Sequence, residues 1–370
     1  MKFSASKNAL LSGFLPLSGV IPSKSPLPAL SNVLAELRGN TLSLAATDLE
    51  VSMQTTIEVS GTEDGKALLP AKRILEIIRE LPEISLKIAI DKNNRISMEG
   101  DQGSYKLSGE DVEGYPQIPQ IQKPEIFQID VGQLHRLIGK TLFAVSRDEL
   151  RPQLTGILLQ VRPGEVRCVS TDGHRLVRIT ALETTYQGEA HDFIVPSKAM
   201  TAVLRNAEGE GPVELRFEAT QLCFAFQQMK LTTRLIEGRY PNYEAVIPKT
   251  NENILKLDAD TFRAAVRRVA IFSNEVSRQI RLRLTRENVE ITAEDVEAGG
   301  EARETVPCDY QGTPMDIGYN ANYIMDVLKQ IDTTEVIFEL GAPTSAGLVK
   351  PSEQEKNEDL LMLIMPVRLS

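Results

Sequence analysis

Cysteine and histidine are scarce in this chain. Only three of each occur: Cys168, Cys223 and Cys308, and His135, His174 and His191. An odd cysteine count with no CxxC spacing argues against a disulfide framework and a thiol redox pair, and it fits a reducing compartment. No HxxxH or HExxH pair exists, so no metal site and no cofactor are expected. The GxSxG and P-loop signatures are missing too, which removes the best-marked hydrolase and nucleotide-hydrolysing classes. No apolar run approaches the ~20 residues of a membrane-crossing helix, so no membrane is expected among its partners. Residues 9–20 follow Lys2 and Lys7 and loosely resemble a secretory signal. Ser12, Gly13, Pro16 and Ser18 break that run and no small-x-small cleavage site follows, so a cytoplasmic protein is expected.

A basic balance is also lacking. The net charge is −10, which on its face argues against nucleic acid. What is present is ordinary for a globular protein: 42% hydrophobic and 25% charged residues over a length of 370. That length predicts two or three domains and a sizeable core.

The chain repeats itself at an interval of about 125 residues. A strand-like run ending near an aspartate recurs as LSLAATDLE, VRCVSTDGHR and VEITAEDVEAG, placing Asp48, Asp172 and Asp295 in register. A helix opening recurs at 68–81, 193–207 and 317–331, with Pro70, Pro196 and Asn320 aligned. Proline there suits a first helical turn. A closing motif recurs as GEDVEGYP, RLIEGRYP and LMLIMP, aligning Pro116, Pro241 and Pro366. An amphipathic helix is expected early in each unit, at 6–13, 131–145 and 258–271; in the last, Phe262, Val266 and Val269 share one face, away from Arg263, Arg267 and Arg268. Between the helices, alternation in 230–235 and 281–284 predicts half-buried antiparallel strands. The fold class is therefore α+β: three modules, 1–123, 126–249 and 250–370, each with two helices packed on antiparallel sheets.

The six helical stretches hold fifteen Lys and Arg against eight Asp and Glu, a surplus of seven in a chain whose total is −10. An acidic body with basic helices would draw DNA to one surface only. Arg136 and Lys140 are four apart and share one helix face, and Arg147 and Arg151 repeat that spacing nearby, although solvated faces are the plainer explanation without the repeat. Twelve helices packed ~10 Å apart close a circle ~120 Å round, which leaves a hole of ~28 Å inside the helix layer. A B-form duplex fits that hole. One chain would then be half a ring, closed by a head-to-tail dimer.

The chain resembles the beta sliding clamp family, the processivity subunit of bacterial DNA polymerase III. The resemblance runs the whole length. It rests on the MKF start, PLPALSNVL at 26–34, ATDLEV at 46–51, LPAKRILEI at 69–77, STDGHRL at 170–176, LIEGRYPNYEAVIP at 235–248, FSNE at 272–275 and MPVRL at 365–369. It implies a DNA clamp fold in which two chains make a six-module ring around duplex DNA, without regard to sequence and without catalysis. It also implies partners: a second copy as head-to-tail homodimer, the replicative polymerase, the clamp loader and other proteins that carry clamp-binding peptides.

By motif, the resemblance implies a peptide groove lined by Leu154, Thr171, Gly173, His174, Arg175, Leu176, Pro241, Val246, Met365, Pro366, Val367 and Arg368. Leu, Val, Met and Pro would form an apolar slot for Leu or Phe anchors. Taken alone, TDGHRL is only a hairpin turn. DNA contacts fall on Lys24, Arg73, Arg147, Arg151 and Lys198. The subunit junction would use Ile271 and Phe272 against Tyr105 and Leu107, with Glu301 and Glu304 adding charge. Three departures stand out. Ala245 sits where some members carry an arginine of the groove, Pro152-Gln153 replaces aromatic residues, and Ser370 extends past the usual end, where it would perturb the groove. Two alternatives remain open at this point: a clamp paralogue serving repair or compound resistance, and a hydrolase built on Asp172 and His174, with Ser170.

Overall fold

The computed structural model describes every residue except Ser23, Gln102, Lys123 and Ser370. The expected boundary at Lys123 and the expected effect of Ser370 on the groove lie outside the described residues. Six α-helices are present among the described residues: α1 (Lys7–Leu17), α2 (Ala71–Glu80), α3 (Val131–Thr141), α4 (Ser197–Asn206), α5 (Ala259–Val269) and α6 (Ala321–Leu328).

The first helix of each repeat follows directly from a strand: Lys2–Ser6, Glu125–Asp130 and Asn253–Asp258. The last residue of each strand turns the chain by accepting hydrogen bonds from the new helix. Ser6 Oγ accepts from Ala9 N, Asp130 Oδ1 from Gly132 N and Gln133 N, and Asp258 Oδ1 from Thr261 N. These contacts satisfy amides that the first helical turn leaves without partners.

The second helix of each repeat also starts at a strand end, after Gly65–Pro70, His191–Pro196 and Met315–Asn320. The prolines stand one position earlier than expected. Pro70 is extended, with φ −67° and ψ 94°, and ends the strand rather than opening the helical turn. Asn320 fills the same place with a side-chain cap to Asn322 N at 2.9 Å.

The three repeated aspartates have one job. Oδ1 of Asp48 accepts from the amides of Glu50 and Val51, that of Asp172 from His174 and Arg175, and that of Asp295 from Glu297 and Ala298. Each carboxylate folds the tight link between two antiparallel strands.

The chain divides into two compact units. The first comprises Met1–His135 with Lys198–Leu235. It holds a five-stranded sheet in the order Ser60–Glu63, Lys2–Ser6, Ser85–Ile90, Arg95–Gly100, Gly103–Ser108. Its eight-stranded sheet runs Glu125–Asp130, Pro212–Glu218, Gln221–Phe226, Met229–Arg234, Val51–Glu58, Thr41–Thr47, Asn32–Arg38, Gly65–Pro70. The core is sealed by Leu10, Phe14 and Leu17 of α1 and Ile74, Leu75 and Ile78 of α2. Gly13 interrupts the apolar run because α1 lies close to the sheet there. A Cβ at this position would meet Leu44 Cδ1 at 2.9 Å.

The second unit comprises Arg136–Ser197 with Ile236–Ser370. Its nine-stranded sheet runs His191–Pro196, Gly156–Arg162, Glu165–Thr171, Arg175–Leu182, Glu358–Ile364, Gly347–Pro351, Glu335–Leu340, Asn253–Asp258, Asp309–Gln311. Its four-stranded sheet runs Gly300–Pro307, Asn288–Asp295, Gln279–Leu284, Met315–Asn320. Phe262 of α5 meets Phe338 edge to face, with ring centroids 5.8 Å apart.

Two sequence expectations need correction. Pro116 and Pro241 follow long excursions after the Gly103–Ser108 and Met229–Arg234 strands, whereas Pro366 stands two residues past Glu358–Ile364. The equal spacing of the three prolines is therefore not an equal place in the fold. The Met229–Arg234 strand also buries Leu231, Thr232 and Thr233 in succession rather than alternating, because it lies inside the eight-stranded sheet. The Gln279–Leu284 strand alternates as expected.

Candidate functional site

Residues from several segments of the sequence converge on one apolar cluster in the second unit. Leu154 comes from the short helical turn Pro152–Thr155, Leu158 and Val169 from neighbouring strands, and Leu176 from the strand after the Asp172 turn. Tyr240 and Tyr243 come from the segment after the sheet, and Leu361 and Leu363 from the last strand. Ile247 packs against the same cluster. From this floor the chain leads directly to exposed apolar groups at Val246 and Met365, which are 56% and 38% exposed, and to the exposed ring of Pro241.

The Asp172 turn forms one border. Gly173 has φ +92°, a conformation that favours glycine. Thr171 Oγ1 donates to Arg175 O at 2.7 Å and accepts from Gly173 N, so the turn is tied from both ends. His174 is exposed, and its ring stacks on Tyr323 of α6 with centroids 5.9 Å apart. Arg175 is held by Asp172 at 3.1 Å, by Asp326 of α6 at 2.6 Å and by the Phe143 carbonyl at 3.0 Å. Its guanidinium lies 4.8 Å from the Tyr323 ring centre and 5.2 Å from that of Phe143. Burial works to raise the Asp326 pKa, yet hydrogen bonds from Arg175 and Lys329 outweigh it and hold the carboxyl below its ordinary value.

The C-terminal segment forms a second border. Met365 N donates to His174 O at 2.8 Å and Val367 N to Gly318 O at 2.9 Å. Pro366 and Val367 are half-buried, while Arg368 is exposed. The structure thus brings Leu154, Thr171, Gly173, His174, Arg175 and Leu176 to the cluster and its turn, ties Met365 to that turn through His174, and ties Val367 to Gly318 of the Met315–Asn320 strand. Tyr323 and Phe143 were missed, and so were the buried floor residues Tyr240, Leu348 and Leu363. An aromatic on a distant helix carries no local mark of the partner it will meet.

The hydrolase alternative fails on geometry. Ser170 is fully buried and its hydroxyl donates to Thr141 O. Asp172 is occupied by the turn amides and Arg175, while His174 turns its ring to Tyr323. No nucleophile and base come together.

The cationic residues divide into two groups. Eight of the fifteen on the stretches expected to be helical are in ion pairs among the described residues: Lys2, Arg136, Lys140, Arg151, Lys198, Arg263, Arg268 and Lys329. Lys2 lies on a strand, and Arg147 and Arg151 lie in the loop beyond α3 and not on a helix. Arg136 and Lys140 do share a face, but that face is bound to Asp332 and Glu358 of the same unit, and Lys140 is buried. Among the expected DNA contacts, Lys24, Arg73 and Arg147 are exposed and carry no ion pair among the described residues. Arg151 pairs with Asp148 at 2.8 Å, and Lys198 pairs with Asp48.

The expected junction residues lie on or beside sheet edges. Tyr105 and Leu107 are on Gly103–Ser108, an edge of the five-stranded sheet. Glu301 and Glu304 are on Gly300–Pro307, an edge of the four-stranded sheet, where Glu304 forms a two-pronged pair with Arg268. Ile271 and Phe272 follow α5 and are 74% and 42% exposed.

Three family descriptions match in order: the N-terminal domain of the DNA polymerase III beta subunit over 1–119, its central domain over 128–242 and its C-terminal domain over 244–368. The beta sliding clamp of Pseudomonas putida is 32% identical over 372 residues, covering 100% of both chains. That of Chlamydia muridarum is 29% identical, covering 100% of this chain and 99% of the relative. The structure of the Pseudomonas aeruginosa sliding clamp bound to griselimycin superposes with a TM-score of 0.94 at 32% identity, covering 100% of both chains. The Bacillus subtilis clamp shares the fold, with a TM-score of 0.95 at 24% identity and 100% coverage of both. This chain belongs to the DNA polymerase III beta subunit family, the beta sliding clamps.

Proposed function

We propose that two copies of this chain join head to tail around duplex DNA, and that the apolar site of the second unit docks peptides of the replicative polymerase, the clamp loader and other partners. The chain is then a cytoplasmic processivity factor and not an enzyme, built of modules 1–123, 126–249 and 250–370.

The observation that carries this reading is a pair of strand junctions. The strand after the Asp48 turn, Val51–Glu58, pairs antiparallel with the last strand of the next module, Met229–Arg234. The strand after the Asp172 turn, Arg175–Leu182, pairs in the same sense with Glu358–Ile364. Among the described residues, the strand after the Asp295 turn, Gly300–Pro307, has a free edge, as does the last strand of the first module, Gly103–Ser108. A third junction of the same kind can form only between copies, and two such junctions close a six-module ring. Tyr105, Leu107, Ile271, Phe272 and Glu301 would lie in it, with the Arg268–Glu304 pair at its margin.

Inside the ring, Lys24, Arg73, Arg147, Arg151 and Lys198 would meet phosphates weakly and without reading bases. Direct ionic binding falls steeply with salt, whereas a closed circumference does not depend on it. A docked partner gains effective concentration at the primer end. The groove would take Leu or Phe anchors between Pro241, Val246 and Met365, with His174, Arg175, Pro366, Val367 and Arg368 at its rim.

Retention on nicked circular DNA tests the reading. The loaded protein is expected to stay on the circle in high salt and to leave once the circle is cut. Equal loss from both substrates would refute topological attachment.

A further inference from the structure

The bond that fixes the C-terminal wall of the groove is the third copy of a bridge made in every module. In each, the residue two before the helix cap pairs with the chain leaving the last strand. Leu68 bridges Glu110, Ile236 N donates to Ile194 O at 2.9 Å, and Gly318 bridges Val367. In the first two modules that residue carries a large aliphatic side chain. In the third it is glycine. A Cβ on Gly318 would stand 2.7 Å from Val367 O and 2.8 Å from Leu369 Cδ2. Contacts under 3.0 Å force something to move, and here the nearest atom is backbone.

The first two bridges hold segments that are continuous with the next module, so both ends of each segment are anchored. In the third, the other backbone tie of residues 365–369 among the described residues is Met365 N to His174 O. Any displacement at Val367 therefore passes to its chain neighbours Met365, Pro366 and Arg368, which would form the groove wall.

We propose that Gly318 is a positioning residue for the docking groove: the missing side chain lets residues 365–369 lie against the Met315–Asn320 strand and so sets the wall that a docked peptide meets. Gly318 itself touches no peptide. This inference rests on the groove reading above.

The test compares four dimeric chains: wild type, Gly318→Ala, a chain ending at Pro366, and the two changes together. The probe is a short fluorescein-labelled peptide with Leu and Phe anchors. Gly318→Ala is expected to weaken the peptide about tenfold, the scale of one lost tertiary contact. Amide exchange at Val367 should accelerate, while the Gln279–Leu284 amides paired with the Met315–Asn320 strand stay protected. In the shortened chain, already weakened, Gly318→Ala should add nothing. Unchanged peptide affinity in Gly318→Ala would overturn the proposal, as would a full further loss in the shortened chain. Absence of peptide binding to wild type would instead refute the groove reading itself.

Discussion

Glycine matters in this chain where a neighbour occupies the space of its missing side chain. Gly347 lies in the nine-stranded sheet with its Cβ direction 2.6 Å from the hydroxyl of Tyr319 and 2.9 Å from Leu340 Cδ2. Tyr319 is buried, and burial drives its hydroxyl pKa well up. Gly347→Ala should therefore cost about 1–3 kcal/mol through overpacking. Most of that cost should vanish in a Gly347→Ala, Tyr319→Phe double variant, because phenylalanine withdraws the clashing oxygen. Urea unfolding of the two single variants and the double would show this as non-additivity. Equal costs with and without the hydroxyl would place the strain elsewhere. At this scale much was legible in the sequence. The spacing of Asp48, Asp172 and Asp295 marked three turns, and a carboxylate after a strand has a short list of uses. Tyr323 and Phe143 were not legible, because their stacking partners lie far away in the chain.

Among elements, the decisive tie is the one from the Asp172 turn to α6. Arg175 reaches Asp326 at 2.6 Å and so couples the groove turn to a helix 150 residues away in sequence. Asp326 has a folded pKa below its ordinary value. Such a carboxyl stabilises the fold at any pH above its unfolded value and loses that contribution as pH falls through the depressed folded one. The tie should therefore be whole at neutral pH and weaken below pH ~4. Asp332 behaves alike. Burial raises its pKa, and Lys140 and Arg136 more than reverse the effect. An Asp326→Asn variant should be less stable than wild type at pH 7, with the gap closing as both are taken into acid. A gap that stays constant down to pH ~2 would deny the carboxylate its role. The same helices explain a partial misreading of the sequence. Arg136 and Lys140 have the spacing of a solvated basic face, but the acidic residues that claim them, Asp332 and Glu358, are 192 to 222 positions away. Helix starts were readable from local chemistry, whereas the assignment of each cation to DNA or to the fold depends on tertiary neighbours.

For the whole molecule, the repeat set the architecture, yet the repeat is not the unit that packs. Each large sheet takes strands from two successive modules, so each compact unit contains parts of both. Equal intervals misled at Pro366 because the last strand runs later in its repeat, ending at Ile364, two residues before the proline, whereas the corresponding strands end at Ser108 and Arg234, well before Pro116 and Pro241. The division into units also separates two functions that the ring reading combines. The residues of the proposed groove all lie in the second unit, in one chain. The proposed junction uses a free edge from each unit, and needs two chains. Ile271→Asp with Leu107→Asp puts carboxylates where apolar contact would be buried, and an unpaired buried charge is strongly destabilising to an interface. The variant should run as a monomer of 40.9 kDa rather than twice that mass. It should be lost from nicked circular DNA as quickly as from linear DNA. Its affinity for the Leu- and Phe-bearing peptide should be unchanged, because no groove residue comes from a second copy. If the monomeric variant also lost the peptide, the groove would need the closed ring, and the division of labour between edge and groove would have to be abandoned.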